Sequence, residues 1–385
     1  MHLASTVAAA SLLAANAHAW SPSPTNGTDK LAQEGLANLE AYHKSLNSSS
    51  SCNLGNAAVR REWLTLSDEE KIAYISAVKC LMSKPSISGD AIPGAKSRYD
   101  DFVGVHINQT LSIHATGNFL SWHRYFTWTY EHALREECGY EGYQPYINWG
   151  KYAHDIVGSP LFDGSETSIG GDGEFIPHQG FGIPSNDAPE FVIPPGNGSG
   201  CVTTGPFRNM TVRLGPVTPS LYNLTANPRA DGLGLNPRCL RRDLSNIGAR
   251  RGSTEDISYE LISNRTDIIS FQNRMQGDFP NKYFGVHAGG HFWVGGDPGG
   301  DLYASPGDPY FFLHHAQIDR TWWIWQNQDP KNRQNAIGGT NTIFNFPPSA
   351  NTTLEDLIDI GVNAPAIKIG SAMSTLKNQF CYTYA

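Results

Sequence analysis

The sequence predicts a mainly α fold with long irregular loops and few short strands. Three observations predict it. Apolar residues recur at helical spacing in several segments that begin on capping residues. Two histidines stand four apart in His287-Ala-Gly-Gly-His291, a spacing that sets both imidazoles on one helix face about one turn from each other. Finally, Gly139 to Leu240 is rich in Gly, Pro and Asn and has few periodic runs, which reads as loop carried on a rigid scaffold and forming part of a pocket wall.

The chain opens on an apolar run of small residues that closes in Ala17-His18-Ala19, a small-x-small cleavage pattern, although no Lys or Arg precedes it. Residues 1–19 are predicted to be a secretory signal peptide, and residues 20–385 a single domain, since no linker divides them. A helix is predicted over Asp29 to Tyr42 from Leu31, Leu36, Leu39 and Tyr42, and a loop over Ser45 to Ser51. Ser67 with Glu70 three residues on is a capping box that starts a second helix through Ile72, Ile75, Val78 and Leu81. Pro85 to Gly94 is loop. Further helices are predicted from near Ser97 into His106, from Phe119 to about Glu137, over Thr254 to Ile262, over Ile268 to Gln276, and over Phe311 to Trp325. In the Phe119 helix, Trp122, Phe126, Tyr130 and Leu134 fall at core spacing.

His106, His114 and His123 form an upstream set. The nine-residue gap between His114 and His123 would put them on opposite faces of a continuous helix, and Thr116-Gly117-Asn118 breaks the run, so His114 belongs on a loop. Downstream, His315 lies on the helix after His287 and His291. Two sets of three imidazoles predict two metals. Each ring needs a partner for its second nitrogen, for which Asp319 or a nearby carbonyl can serve. Neutral imidazole suits zinc, copper, iron and nickel, so residue type alone does not choose the metal.

Composition narrows the partners. The net charge is −8 and no Lys/Arg-rich run occurs, which argues against nucleic acid or an anionic membrane and for small neutral ligands. No later apolar run is long enough to cross a bilayer. Six cysteines permit three disulfides in any of fifteen pairings. Asn26, Asn47, Asn108, Asn197, Asn209, Asn223, Asn264 and Asn351 open glycosylation sequons, as in an exported, extracellular chain. Asn108 stands two residues from His106, which argues against its modification.

The segments Tyr99-Asp-Asp-Phe-Val-Gly-Val-His106, His114-Ala-Thr-Gly-Asn-Phe-Leu-Ser-Trp-His123-Arg124 and Asp308-Pro-Tyr-Phe-Phe-Leu-His314-His315-Ala-Gln-Ile-Asp319-Arg320 resemble, in this order, the CuA and CuB regions of the tyrosinase and catechol oxidase family of type 3 copper proteins. The resemblance covers roughly residues 55 to 385 and implies a central helical bundle around a binuclear copper site. It places His106, His114 and His123 on one copper and His287, His291 and His315 on the other, with His314 as a neighbour. It implies oxidation of o-diphenols (catechols) to o-quinones, with O2 as co-substrate reduced to water, and small phenols as partners. It also implies a short, secreted, fungal-type chain without a C-terminal shielding domain. Tyr382-Thr-Tyr384 resembles the Tyr-x-Tyr that closes the family's catalytic domain against an arginine, here Arg60 or Arg61.

Several positions depart from the family pattern. Ala288 stands where hydroxylating tyrosinases have Asn after the first CuB histidine, and Gln276 where they have a Glu; together those residues hold a water thought to deprotonate a monophenol. An amide and a methyl cannot act as that base. Monophenol hydroxylation is therefore expected to be weak, with catechol oxidase the first reading, a full tyrosinase or o-aminophenol oxidase the second, and a haemocyanin-like O2 carrier the third. A zinc hydrolase would need bound water and a carboxylate ligand or base, for which no motif is seen. Ser112 replaces the Cys that forms a thioether to the His114 ring in many members, so His114 is expected to be held by packing alone. Ile147-Asn148 interrupts the usual Pro-Tyr-Trp-Asp-Trp, and Leu302 aligns loosely with the family's gate.

Overall fold

The computed structural model describes residues 19–46, 51–183, 189, 191–218 and 223–385. The predicted signal peptide over residues 1–19 lies, except for Ala19, outside the described residues, as do most of the predicted Ser45 to Ser51 loop and the Asn47 sequon.

The helices are α1 (Asn26–Ser45), α2 (Asp68–Ser83), α3 (Arg98–Ile113), α4 (Phe119–Cys138), α5 (Trp149–Tyr152), α6 (Asn246–Gly252), α7 (Glu255–Asn264), α8 (Ile268–Gln276), α9 (Val286–Val294), α10 (Tyr310–Gln328) and α11 (Pro330–Arg333). The strands are short: β1 (Ala58–Arg60), β2 (Gly173–Phe175), β3 (Phe181–Ile183), β4 (Phe191–Ile193), β5 (Ser199–Val202), β6 (Thr211–Val212), β7 (Arg238–Cys239), β8 (Leu357–Ile358), β9 (Ile367–Lys368) and β10 (Tyr382–Tyr384). They make only two-stranded sheets, so the fold is mainly α, as the periodicity predicts.

Helix ends follow local chemistry. α2 begins on the Ser67–Glu70 capping box, with both reciprocal bonds formed. α3 begins on a second box, Ser97 with Asp100, whose carboxylate takes the Ser97 N–H at 2.9 Å. Each box satisfies backbone donors that no helix carbonyl can reach. α4 ends where Gly139 turns into the left-handed region at φ 69°.

The core joins α3, α4 and α10 through Phe102, Phe126, Tyr130 and Phe312, all fully buried; Phe102 meets the other three edge to face, while Phe312 stacks on Tyr130 and Phe126. α1 covers the outer side of α10, and α6 lies against α9. That last contact is close: Gly252 and Gly289 face each other, and a Cβ on either would sit 2.5–2.7 Å from the other's Cα. Backbone can approach backbone there only because both are glycine.

The two ends of the domain meet. β1 pairs in parallel with β10, beside the Cys52–Cys381 disulfide. The other bridges are Cys80–Cys138 and Cys201–Cys239, which selects one of the fifteen pairings left open by the sequence. Of the two candidate arginines, Arg60 is the one against the tyrosines: it is buried, 3.7 Å over the Tyr382 ring, and donates to the Tyr384 hydroxyl at 3.0 Å. Arg61 instead pairs with Glu70 at the surface.

Candidate metal centre

Four helices deliver six imidazoles to one interior point. α3 carries His106, and His114 is the residue that terminates it, extended at φ −123° and ψ 142°. The chain then turns through Ala115, at φ 49°, before α4 brings His123. α9 carries His287 and His291 on one face, and α10 supplies His315. His114 thus lies on the predicted break between helices.

In the first set, each ring has its Nδ1 on a backbone carbonyl: His106 on Tyr303 at 2.7 Å, His114 on Thr110 at 3.0 Å, and His123 on Phe119 at 2.7 Å. A carbonyl can only accept, so the proton sits on Nδ1 and the lone pair on Nε2. The Nε2 atoms of His106 and His123 are buried and have no hydrogen-bond partner. An orphaned buried acceptor is costly unless something cationic meets it.

In the second set, His291 Nε2 lies 3.2 Å from His287 Nε2 and 3.2 Å from His315 Nε2. Nitrogens facing nitrogens at that distance share a proton or a cation. Within each set, the ligand atoms lie within 4.8 Å of one another. The two sets adjoin, with the His123 and His315 rings stacked at 4.6 Å and the His114 and His287 rings tilted at 5.8 Å.

Burial pushes all six imidazoles below their ordinary pKa, and neighbouring imidazoles push five of them further; His114 comes down to about 4. All six are therefore neutral near pH 7, the form that binds metal. The residues fit two copper ions, three nitrogens to each, with no protein carboxylate among the donors.

Asp319 does not hold a ligand ring. Its Oδ1 accepts from Arg124 Nε at 2.6 Å, and its Oδ2 from the Tyr382 and Tyr384 hydroxyls at 2.6 and 2.5 Å. Carbonyls take the Nδ1 role in the first set, and two of them, Thr110 and Phe119, stand four residues before their histidine. That helical spacing is a signal the sequence does carry, whereas the Tyr303 carbonyl comes from a distant loop.

His114 is held by more than packing, a correction to the sequence expectation. Besides its Thr110 bond, the next amide, Ala115 N–H, donates to Gln276 Oε1 at 2.7 Å, while Gln276 Nε2 reaches the Gln272 carbonyl at 3.3 Å. Ser112 is exposed on the outside of α3. Ala288 is 8% exposed and packs with Phe181, Ile183, Ile193 and Phe284. The β3–β4 hairpin thus brings part of the irregular region against the residue beside His287. Phe311 and Phe119 frame the rings, Phe311 stacked on His315 at 3.9 Å and Phe119 edge-on to His287 at 4.9 Å. Sequence periodicity placed both only as helix residues.

Residues 96–328 match the common central domain of tyrosinase. The chain is 46% identical over 306 residues to the tyrosinase-like protein orsC of Emericella nidulans, covering 76% of this chain and 80% of that one. It is 40% identical over 335 residues to tyrosinase P of Aspergillus terreus, covering 85% and 91%. A polyphenol oxidase structure from Thermothelomyces thermophila superposes with a TM-score of 0.87 at 43% identity, covering 94% of this chain and 98% of that one.

Proposed function

The chain belongs to the tyrosinase family of type 3 copper oxidases, and on that premise we propose that it oxidises o-diphenols to o-quinones while hydroxylating monophenols weakly or not at all. Two diphenols give up four electrons and four protons to one O2, yielding two quinones and two waters. When bound, the copper pair supplies the redox centre that takes up O2 and accepts the electrons.

The chain's own residues supply the rest. The carbonyls of Tyr303, Thr110 and Phe119 fix three imidazoles with their lone pairs inward. Phe311, Phe119 and the apolar cluster around Ala288 set apolar surface beside the imidazoles, the kind of lining a planar aromatic ring would take.

The observation that carries the proposal is the chemistry at positions 276 and 288. A monophenol must lose a proton before it can bind a metal, and a carboxylate in reach would take it. Gln276 offers a neutral amide whose oxygen is already engaged by Ala115, and Ala288 offers a methyl turned into an apolar cluster. Catechols ionise more readily and chelate, so they depend on such a base less. Export as a glycoprotein fits the same reading: three disulfides close, and Asn26, Asn108, Asn197, Asn209, Asn223, Asn264 and Asn351 are all exposed. No helix among the described residues is long and apolar enough to cross a membrane.

Oxygen uptake by the copper-loaded protein with a simple catechol, beside the matching monophenol, tests the proposal. Fast uptake with the catechol and little with the monophenol is expected. Comparable rates would make it a full tyrosinase, and no uptake with either would favour an O2 carrier.

A further inference from the structure

Four imidazoles, not three, crowd the second site: His287, His291, His314 and His315 all bring a ring nitrogen within 4.8 Å of the others. Adjacent residues on a helix point about 100° apart, and the two neighbours on α10 do different things. His315 turns its Nε2 towards His291 and leaves Nδ1 buried without a partner. His314 has both nitrogens engaged. Trp149 Nε1 donates to its Nδ1 at 3.1 Å, and its Nε2 lies 3.1 Å from the His287 carbonyl.

Those two bonds determine the tautomer. An indole N–H only donates, so Nδ1 must be the acceptor, and the proton is left on Nε2, where the carbonyl receives it. The one lone pair of the ring is thus consumed by Trp149. The surroundings are built for this ring: Tyr310 lies parallel to it, and a Cβ at Gly290 would come within 2.1 Å of its Cε1.

We propose that His314 is a positioning residue for the second copper site: it ties Trp149 to the His287 carbonyl and so sets the pitch of α9, aiming His287 without itself binding metal. This rests on the copper reading above. The Pro145–Trp149 stretch, whose Ile147 and Asn148 depart from the family pattern, thereby acquires a role beside the second site.

The test is copper content and the rate of copper loss to a chelator, with circular dichroism to follow folding. A Gln amide spans nearly the same distance as the two ring nitrogens and can accept from Trp149 while donating to His287, but it is a poor copper ligand. His314→Gln should therefore keep two coppers per chain and lose them at the wild-type rate. His314→Leu and Trp149→Phe should keep the first copper and release the second about 10–100-fold faster. His315→Gln, the ligand control, should lose one copper outright. If His314→Gln loses a copper as His315→Gln does, His314 is a ligand and the proposal fails. It fails equally if both His314→Leu and Trp149→Phe release copper at the wild-type rate. A wild-type protein that takes up no copper would overturn the copper reading itself, and this inference with it.

Discussion

Gln276 reaches from α8 to the loop that carries His114, its Oε1 accepting the Ala115 N–H at 2.7 Å. The position that, on the proposed function, could house a base for monophenols is thus occupied by an amide that ties down the turn after His114. Gln276→Ala leaves that N–H without its partner and should cost about 1–2 kcal/mol, with faster loss of copper from the first site to a chelator. Unchanged thermal stability and copper release would show that the bond holds nothing.

The same geometry predicts what restores a base. Gln276→Glu keeps an oxygen for Ala115 and forfeits the donor to the Gln272 carbonyl. Combined with Ala288→Asn, it should raise monophenol hydroxylation by about 100-fold or more, the lower end for a positioned general base. Quinone formation from the monophenol is the readout; a ratio of monophenol to catechol rates equal to that of the wild type would contradict it.

Ala288→Asn alone carries a cost. It places an amide against Phe181, Ile183, Ile193 and Phe284, where nothing apolar can bond it. Unfolding in urea should show a loss of about 1–3 kcal/mol.

Arg124 and Asp319 link the neighbours of two ligands, since Arg124 follows His123 and Asp319 lies one turn beyond His315. Burial alone would raise the Asp319 carboxyl, but Arg124, Arg60 and the Tyr382 and Tyr384 hydroxyls hold it below the ordinary carboxylate range. A carboxyl depressed in the folded state gives stability that is fully present above its unfolded pKa of about 4 and is lost as pH falls through the folded value. Asp319→Asn should cost about 3–5 kcal/mol at neutral pH, with the gap to wild type narrowing below about pH 4. A constant gap across that range would mean the charge is not what matters.

How much of this was legible beforehand depends on the range of the interaction. The capping box at Ser67, a helix start near Ser97 and the extent of α8 from Ile268 to Gln276 follow from residues within one turn, and the helices agree with them. That six imidazoles converge in two adjoining sets was legible because motif context came with them. What spacing could not give was long-range: the choice of Arg60 over Arg61, the disulfide pairing, and the Tyr303 carbonyl, 197 residues from His106. The two free ring positions of His314 also settle only when Trp149 is brought to it across 165 residues. Of the two ring partners the sequence offers, Asp319 or a nearby carbonyl, the carbonyl is the one that holds in the first set. The place of Asp319 one turn after His315 suggests a ligand-holding role, but two arginines and two tyrosines from distant elements claim it first.

Asp172 gives an opposite pH signature. Burial, with the nearby Asp243 adding, raises it to about 6 against the Leu244 and Gly173 N–H bonds. The folded protein therefore keeps a proton between about pH 4 and 6 that the unfolded chain has lost, and wild-type stability falls as pH rises through that window. Asp172→Asn retains an oxygen for both amides and carries no charge. It should exceed wild-type stability by about 1–3 kcal/mol at about pH 7.5 and match it near pH 4. Stability curves that run parallel would contradict the assignment.

Two copper ions on two sets of three imidazoles is the claim on which the rest depends. The most direct measurement is metal analysis of the purified protein, with copper and zinc counted per chain, beside His123→Gln and His291→Gln. Two coppers in the wild type, negligible zinc, and one copper in each variant are expected. One copper, or zinc in its place, in the wild type would contradict that claim.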